Sequence, residues 1–129
     1  MQMKATVLLM ALAIVAGCTS VQQGNSLQGM PANAPVTRIA VMAQKYNYTP
    51  EVITVHQGDH VVLVIESQDV THGFALANYG IEVALPPHKP VTVEFFAREA
   101  GTFPFQCSEF CGMGHFGMKG KVVVVPAAK

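Results

Sequence analysis

The chain has 129 residues, 50% of them hydrophobic and 12% charged, with eight Lys/Arg balanced by eight Asp/Glu. That length suits one domain with a hydrophobic core that needs no staples. No Lys/Arg block exceeds two residues, so there is no electrostatic footprint for nucleic acid or for an anionic membrane surface.

In chain order, residues 1–17 read as a secretory signal rather than as part of a fold. Lys4 is followed by an apolar run from Ala5 to Ala16 and then by small residues before Cys18, the order of n-region, h-region and processing site. At 12 residues the run falls short of the roughly 20 needed to span a bilayer. The end of the run, "VAGC", resembles the lipobox of bacterial lipoproteins, in which the cysteine becomes the first mature residue and carries a lipid anchor. An ordinary cleaved signal with an incidental cysteine is the alternative. A lone unpaired thiol in an oxidising compartment is a liability, which favours Cys18 as the anchor. The expected location is the bacterial cell envelope, with the domain on the periplasmic or extracytoplasmic side of a membrane.

Residues 18–35 are rich in Gln, Asn, Ser, Gly and Pro and lack aromatic residues, the composition of a flexible tether. Such a segment would let the domain range roughly 20–25 Å from its anchor. The folded domain is expected over residues 36–129.

From Val36 onward the chain consists of short β-rich runs punctuated by turn residues. The runs "TRIAVMA", "VITV", "HVVLVIES", "HGFALA", "VTVEFFA", "GTFPFQ" and "KVVVV" are separated by "QGD", "SQD", "NYG", "PPHKP" and "REAG". These read as seven strands with turn signals between them. No segment keeps a 3.6-residue period, so the fold class is all-β, an antiparallel Greek-key sandwich or barrel. Phe95, Phe96, Phe103, Phe105, Phe110 and Phe116 cluster before or within the next segment and should back it with apolar surface.

That segment, "QCSEFCGMGHFGMKG" at 106–120, holds most of the distinctive chemistry in the pattern C-x3-C-x3-H-x2-M. A disulfide between Cys107 and Cys111 would explain neither His115 nor Met118. Zinc takes thiolates and imidazoles but has no use for a thioether. Thiolate, imidazole and thioether together select copper, and two His, one Cys and a long axial Met make the mononuclear blue-copper set. Cys111, His115 and Met118 would supply three of those ligands. Cys107 is then left over, close enough for both sulfurs to bridge a pair of metals. Met113 is out of step with the spacing and reads as a rim side chain. A second imidazole must come from elsewhere. His56, His60 and His88 lie in polar turn settings and read as solvated, whereas His72 begins the run "HGFAL", where a strand end could aim it into a site. Asp69, three residues earlier, is either a partner for that imidazole or a turn cap.

The segments "THGFAL" and "CSEFCGMGHFGM" resemble the copper A domain of cytochrome c oxidase subunit II, a cupredoxin fold also present in nitrous-oxide reductase. The resemblance runs from about Tyr46 to Val125. It implies a dinuclear copper centre in which Cys107 and Cys111 bridge both ions, His72 and Met118 complete one shell, and His115 with the backbone carbonyl of Glu109 completes the other. Glu at the middle position is closer to the oxidase version, since a Trp is usual there in the reductase. Gly112, Gly114, Gly117 and Gly120 would let the backbone wrap tightly around the metals.

The resemblance further implies an electron relay. Two thiolates leave the cluster's net charge moving only between about +1 and 0, a small change to accommodate in an apolar pocket, and every coordination position is filled by protein. No catalysis is expected from the isolated chain, which could serve as the electron-input subunit of an oxidase. The implied partners are a cytochrome c or similar donor and a terminal oxidase or reductase. The chain has no Trp, which many members use for electron input, and its acidic residues are scattered, so docking is expected on an apolar rim at Phe110, Met113 and Phe116. The competing class is a periplasmic copper chaperone or sensor, which should expose its ligands for exchange.

Overall fold

A computed structural model describes residues 25–127; the expected signal, Cys18 and the first part of the tether lie outside the described residues. Nine strands form two sheets: β1 (Val36–Gln44), β2 (Asn47–Thr49), β3 (Val52–His56), β4 (His60–Ser67), β5 (His72–Leu76), β6 (Ile81–Leu85), β7 (Val91–Phe96), β8 (Gly101–Gln106) and β9 (Lys119–Val125). One sheet has the order β2-β1-β4-β7 and the other β3-β9-β8-β5-β6. The expected all-β sandwich is therefore found. It is mixed rather than purely antiparallel, because β1 runs parallel to β4 and β3 parallel to β9. Helical structure among the described residues is limited to 3-10 turns, and no helix there is long and apolar enough to cross a membrane.

Alternation places the strands. In β3 the pattern buries Ile53 and Val55 and exposes Val52, Thr54 and His56; in β9 Val122 and Val124 point inward, as a two-residue period requires. The two inner faces meet over Leu63, Ile65, Phe74, Leu76, Leu85, Phe95 and Phe105, each at most 1% exposed. Full burial of such side chains contributes roughly 1.5–3 kcal/mol apiece.

Two strands lie outside the seven expected. β2 is three residues long, too short for a periodic signal, and β6 is an edge strand with an intermediate-exposed-intermediate-exposed pattern between two turn-rich segments. The expected tether also overlaps the described domain. Asn25–Leu27 form a 3-10 turn against β7, Ser26 is fully buried, and His60 N–H donates to Pro35 O at 2.7 Å. The turn at Asn25–Leu27 thus packs against β7, an edge strand, while Pro35 extends the β1–β4 ladder by one bond.

Two expectations about individual side chains need correction. His60 is not a solvated surface residue: it begins β4 half-buried, with its Nε2 3.1 Å from Glu94 Oε1. His56 and His88 are exposed as expected. The Phe cluster does not back the cysteine segment as a group. Phe105 does, stacking with Phe74 and Tyr48 at centroid distances of 4.9 and 5.1 Å, but Phe95 and Phe103 pack on Tyr79 instead, and Phe110 and Phe116 face solvent.

Candidate metal centre

Three segments meet at one end of the sandwich: the β1–β2 turn at Lys45 and Tyr46, residues 67–73 leading into β5, and the loop from Cys107 to Met118 that joins β8 to β9. The loop is pinched at its base, where Cys107 N–H donates to Met118 O at 3.0 Å just beyond the Gln106–Lys119 strand pair. A 3-10 turn at His115–Gly117 folds the loop back, so that residues 107, 111, 115 and 118 converge.

Four donor groups gather around the two cysteine sulfurs. Cys107 Sγ and Cys111 Sγ are 3.5 Å apart, well beyond the roughly 2.05 Å of a disulfide, so both are free thiols. Glu109 O lies 3.1 Å from Cys107 Sγ, while His115 Nδ1 and Met118 Sδ lie 3.8 and 3.9 Å from Cys111 Sγ. A ring nitrogen of His72 and the two sulfurs all fall within 4.8 Å of one another. His72 and Met118 are fully buried, and Cys107 and Cys111 are only 5% and 7% exposed.

His72 carries the clearest sign that this cluster could hold a metal ion. Its Nε2 lies 2.7 Å from Asp69 Oδ1, which places the ring proton there and leaves Nδ1 as an acceptor. Nδ1 is buried with no hydrogen-bond partner, and an orphaned buried nitrogen is costly unless something else satisfies it. A soft metal ion beside the two sulfurs meets that need. The pattern of a carboxylate, then an imidazole, then a metal is the usual way a ligating histidine is oriented.

Asp69 serves both roles that its position allows. Oδ1 also accepts from Val70 N–H at 2.7 Å, as a turn cap does, and Oδ2 accepts from Lys45 N–H at 2.7 Å. Burial pushes this carboxyl up, but the two backbone N–H groups and His72 outweigh it and hold the pKa down at about 2. The thiols behave oppositely. Burial, and then the neighbouring Cys107, push the Cys111 thiol up to about 11, so without metal it stays protonated at neutral pH and metal binding must release protons.

Two glycine-dependent approaches close the site. A Cβ at Gly73 would collide with Ser108 Oγ and lie 2.7 Å from Glu109 N; glycine lets β5 press against the loop, where Gly73 N–H points at Cys107 Sγ from 3.5 Å. A Cβ would run into the Tyr46 hydroxyl at Gly112 and into its ring at Gly114. The loop glycines divide by reason: Gly112, at φ 136, needs glycine for its backbone as expected, Gly114 makes room for the Tyr46 ring, Gly120 clears Glu51 O and Phe105, and Gly117 has open space beside it.

Two tyrosines were not among the sequence-derived site residues. Tyr48 is buried and donates from its hydroxyl to Gly73 O at 2.6 Å; burial, then the nearby Cys107 and Cys111, push the phenol far above its ordinary range, so it remains a donor. Tyr46, 37% exposed, covers the loop glycines. A two-residue period would put both tyrosines of "YNY" on one face, so alternation could not separate the buried Tyr48 from Tyr46, which lies in the turn before β2. At the surface, Phe110, Met113 and Phe116 are 69, 92 and 86% exposed, and the two Phe rings flank His115 at centroid distances of 5.6 and 5.0 Å.

Comparison with known proteins agrees with the sandwich. Cytochrome c oxidase subunit 2 of Thermus thermophilus is 36% identical over 86 residues, covering 67% of this chain and 64% of the relative. Nitrous-oxide reductase of Stutzerimonas stutzeri is 36% identical over 78 residues, 57% of this chain but only 12% of that protein. The chain thus spans less than two thirds of the length of each. Among solved structures, the periplasmic domain of subunit II of cytochrome oxidase from Bradyrhizobium japonicum superimposes with a TM-score of 0.64 at 22% identity, covering 69% of this chain and 83% of that one. The sequence matches the family described as "Cupredoxin-like domain" over residues 7–124, and with two sheets carrying a soft-ligand loop between the last two strands, the chain belongs to that family.

Proposed function

We propose that this protein is an electron-transfer domain holding a dinuclear copper A centre. One observation carries the reading: two free thiols 3.5 Å apart share surroundings that contain two imidazoles, one thioether and one backbone carbonyl. A mononuclear site would need only one of the sulfurs, whereas a bridged pair uses both and divides the remaining donors between two ions. Cys107 and Cys111 would bridge, His72 and Met118 would serve one ion, and His115 and Glu109 O the other. Bound copper would supply reversible one-electron storage.

The chain's own residues account for the rest of the behaviour. Asp69 fixes the His72 ring, Tyr48 and Gly73 fix the strand beside Cys107, and burial keeps water from the thiols. With His72 and Met118 fully buried, ligands are not presented for exchange, which favours electron relay over copper delivery. His115 is the half-exposed donor, framed by Phe110 and Phe116, so an electron has its shortest route to a docked partner there. The exposed Phe110, Met113 and Phe116 fit an apolar redox partner such as a cytochrome c, with a terminal oxidase or reductase as acceptor. Likeness to oxidase subunit 2 supports this pairing, and a lipid on Cys18 would hold the domain at an envelope membrane.

The test is metal content and spin distribution. Reduced protein loaded with copper should bind two ions per chain and, when oxidised, show one unpaired electron with hyperfine structure from two nearly equivalent copper nuclei. One copper per chain, with the thiols verified as reduced, would overturn the dinuclear reading and leave a mononuclear cupredoxin.

A further inference from the structure

The β1–β2 turn touches both halves of the site, and nothing in the donor set requires it to. β1 and β2 pair at Gln44 and Asn47, leaving Lys45 and Tyr46 as a two-residue turn. Lys45 N–H holds Asp69 Oδ2 at 2.7 Å, and Asp69 Oδ1 holds His72 Nε2 at 2.7 Å. The next residue, Tyr46, lies across the loop that carries Cys111 and His115, so close that a Cβ on Gly114 would overlap its ring and one on Gly112 its hydroxyl.

Gly114 makes the contact informative. Its backbone sits at φ −91 and ψ 6, a conformation open to residues with a side chain, so the backbone gives no reason for glycine there. The Tyr46 ring does. Gly112, by contrast, has φ 136 and needs glycine whatever lies beside it.

We propose that Tyr46 is a positioning residue, a clasp whose ring seats on Gly114 and keeps the ligand loop closed over the thiols. The loop's other ties are its pinched base, the approach of Gly73 to Ser108 and Cys107 Sγ, and the short turns within it; its tip is exposed at Met113, and the Tyr46 ring supplies packing at Gly114, beyond the Gly73 contact. This deepens the copper reading but rests on the geometry of the metal-free loop.

The experiment therefore measures loop opening without copper. In reduced, metal-free protein, the rate at which a thiol reagent alkylates Cys111 should rise by about tenfold in Tyr46→Ala, the size expected for losing one aromatic packing contact, and stay at the parent rate in Tyr46→Phe, which keeps the ring. Gly114→Ala should reproduce the Tyr46→Ala rate, because the added methyl unseats the ring. The double variant should be no faster than Tyr46→Ala alone, since one contact cannot be lost twice. In copper-loaded protein the same order should appear in the rate of copper release to a chelator. Parent-like alkylation in both single variants, or rates that multiply in the double variant, would overturn the proposal; if Tyr46→Ala fails to fold, Gly114→Ala against Tyr46→Phe decides it. Failure of copper loading would refute the metal assignment and leave the alkylation result standing.

Discussion

Asp69 Oδ1 and His72 Nε2 are 2.7 Å apart, and this one contact sets both the tautomer and the aim of an imidazole that is fully buried. Asn at position 69 would keep the shape but offer one acceptor where two are needed, since Oδ1 serves His72 and Val70 while Oδ2 serves Lys45. Asp69→Asn should therefore weaken copper binding by roughly 10–100-fold, the usual cost of losing a ligand's outer partner. Competition against a copper chelator would measure it, and affinity equal to the parent's would show that the carboxylate does not orient the ligand.

The same carboxylate predicts an acid limb in stability. Its pKa is held at about 2 against an ordinary 3.8, so in this window the folded protein binds fewer protons than the unfolded chain. A depressed carboxyl contributes stability that is fully present above the unfolded value and is lost as pH falls toward the folded one. Thermal melts of metal-free protein should show the parent more stable than Asp69→Asn at pH 5, with the gap in Tm closing between about 4 and about 2. A gap that stays constant across that range would mean that the contacts at Asp69 do not depend on its charge.

The rim predicts a docking phenotype separable from copper binding. Met113 is 92% exposed, so Met113→Asp should leave copper content and spectrum intact while slowing electron exchange with a small cytochrome c by roughly tenfold, as loss of a central apolar contact does. Because the contact is apolar, the parent's rate should vary little with ionic strength. Stopped-flow mixing at two salt concentrations measures both, and an unchanged rate in the variant would place docking elsewhere.

The loop was legible in the sequence because its chemistry is local: Cys107, Cys111, His115 and Met118 lie within 12 residues and needed only a fold-back to converge. His72 was legible for a different reason, being the first residue of a strand whose pattern is strong. What periodicity could not reach was the support from other parts of the chain. Tyr46 lies 66 residues before Gly112, in a turn beside a three-residue strand, and no local pattern ties that turn to the loop. β6 escaped because an edge strand buries little of either face. Ser26 escaped because a three-residue turn packed against β7 leaves no periodic signal in the sequence.

The anchor is tested independently of the site. If Cys18 carries lipid, Cys18→Ser should move the mature protein from the membrane to the soluble envelope fraction with copper content unchanged. A variant that is processed and still sediments with membranes would rule the lipid out.

If both thiolates bridge two coppers as proposed, single substitutions should expose how the two cysteines divide the labour. Met118 sits 3.9 Å from Cys111 Sγ, fully buried, and a thioether is a weak axial ligand whose identity tunes potential more than binding. Met118→Leu keeps the volume, so two coppers should remain, with the reduction potential and the sharing of the unpaired electron shifted. Cys107→Ser should be the severe change. It removes the sulfur that faces Glu109 O and Gly73 N–H, yet Cys111, His115, Met118 and His72 still compose a complete mononuclear set. The variant should therefore bind one copper and show hyperfine splitting from a single nucleus. If Cys107→Ser retains two coppers with a shared electron, Cys107 does not bridge. If Met118→Leu loses an ion while Cys107→Ser does not, the thioether rather than the second thiolate holds the pair together.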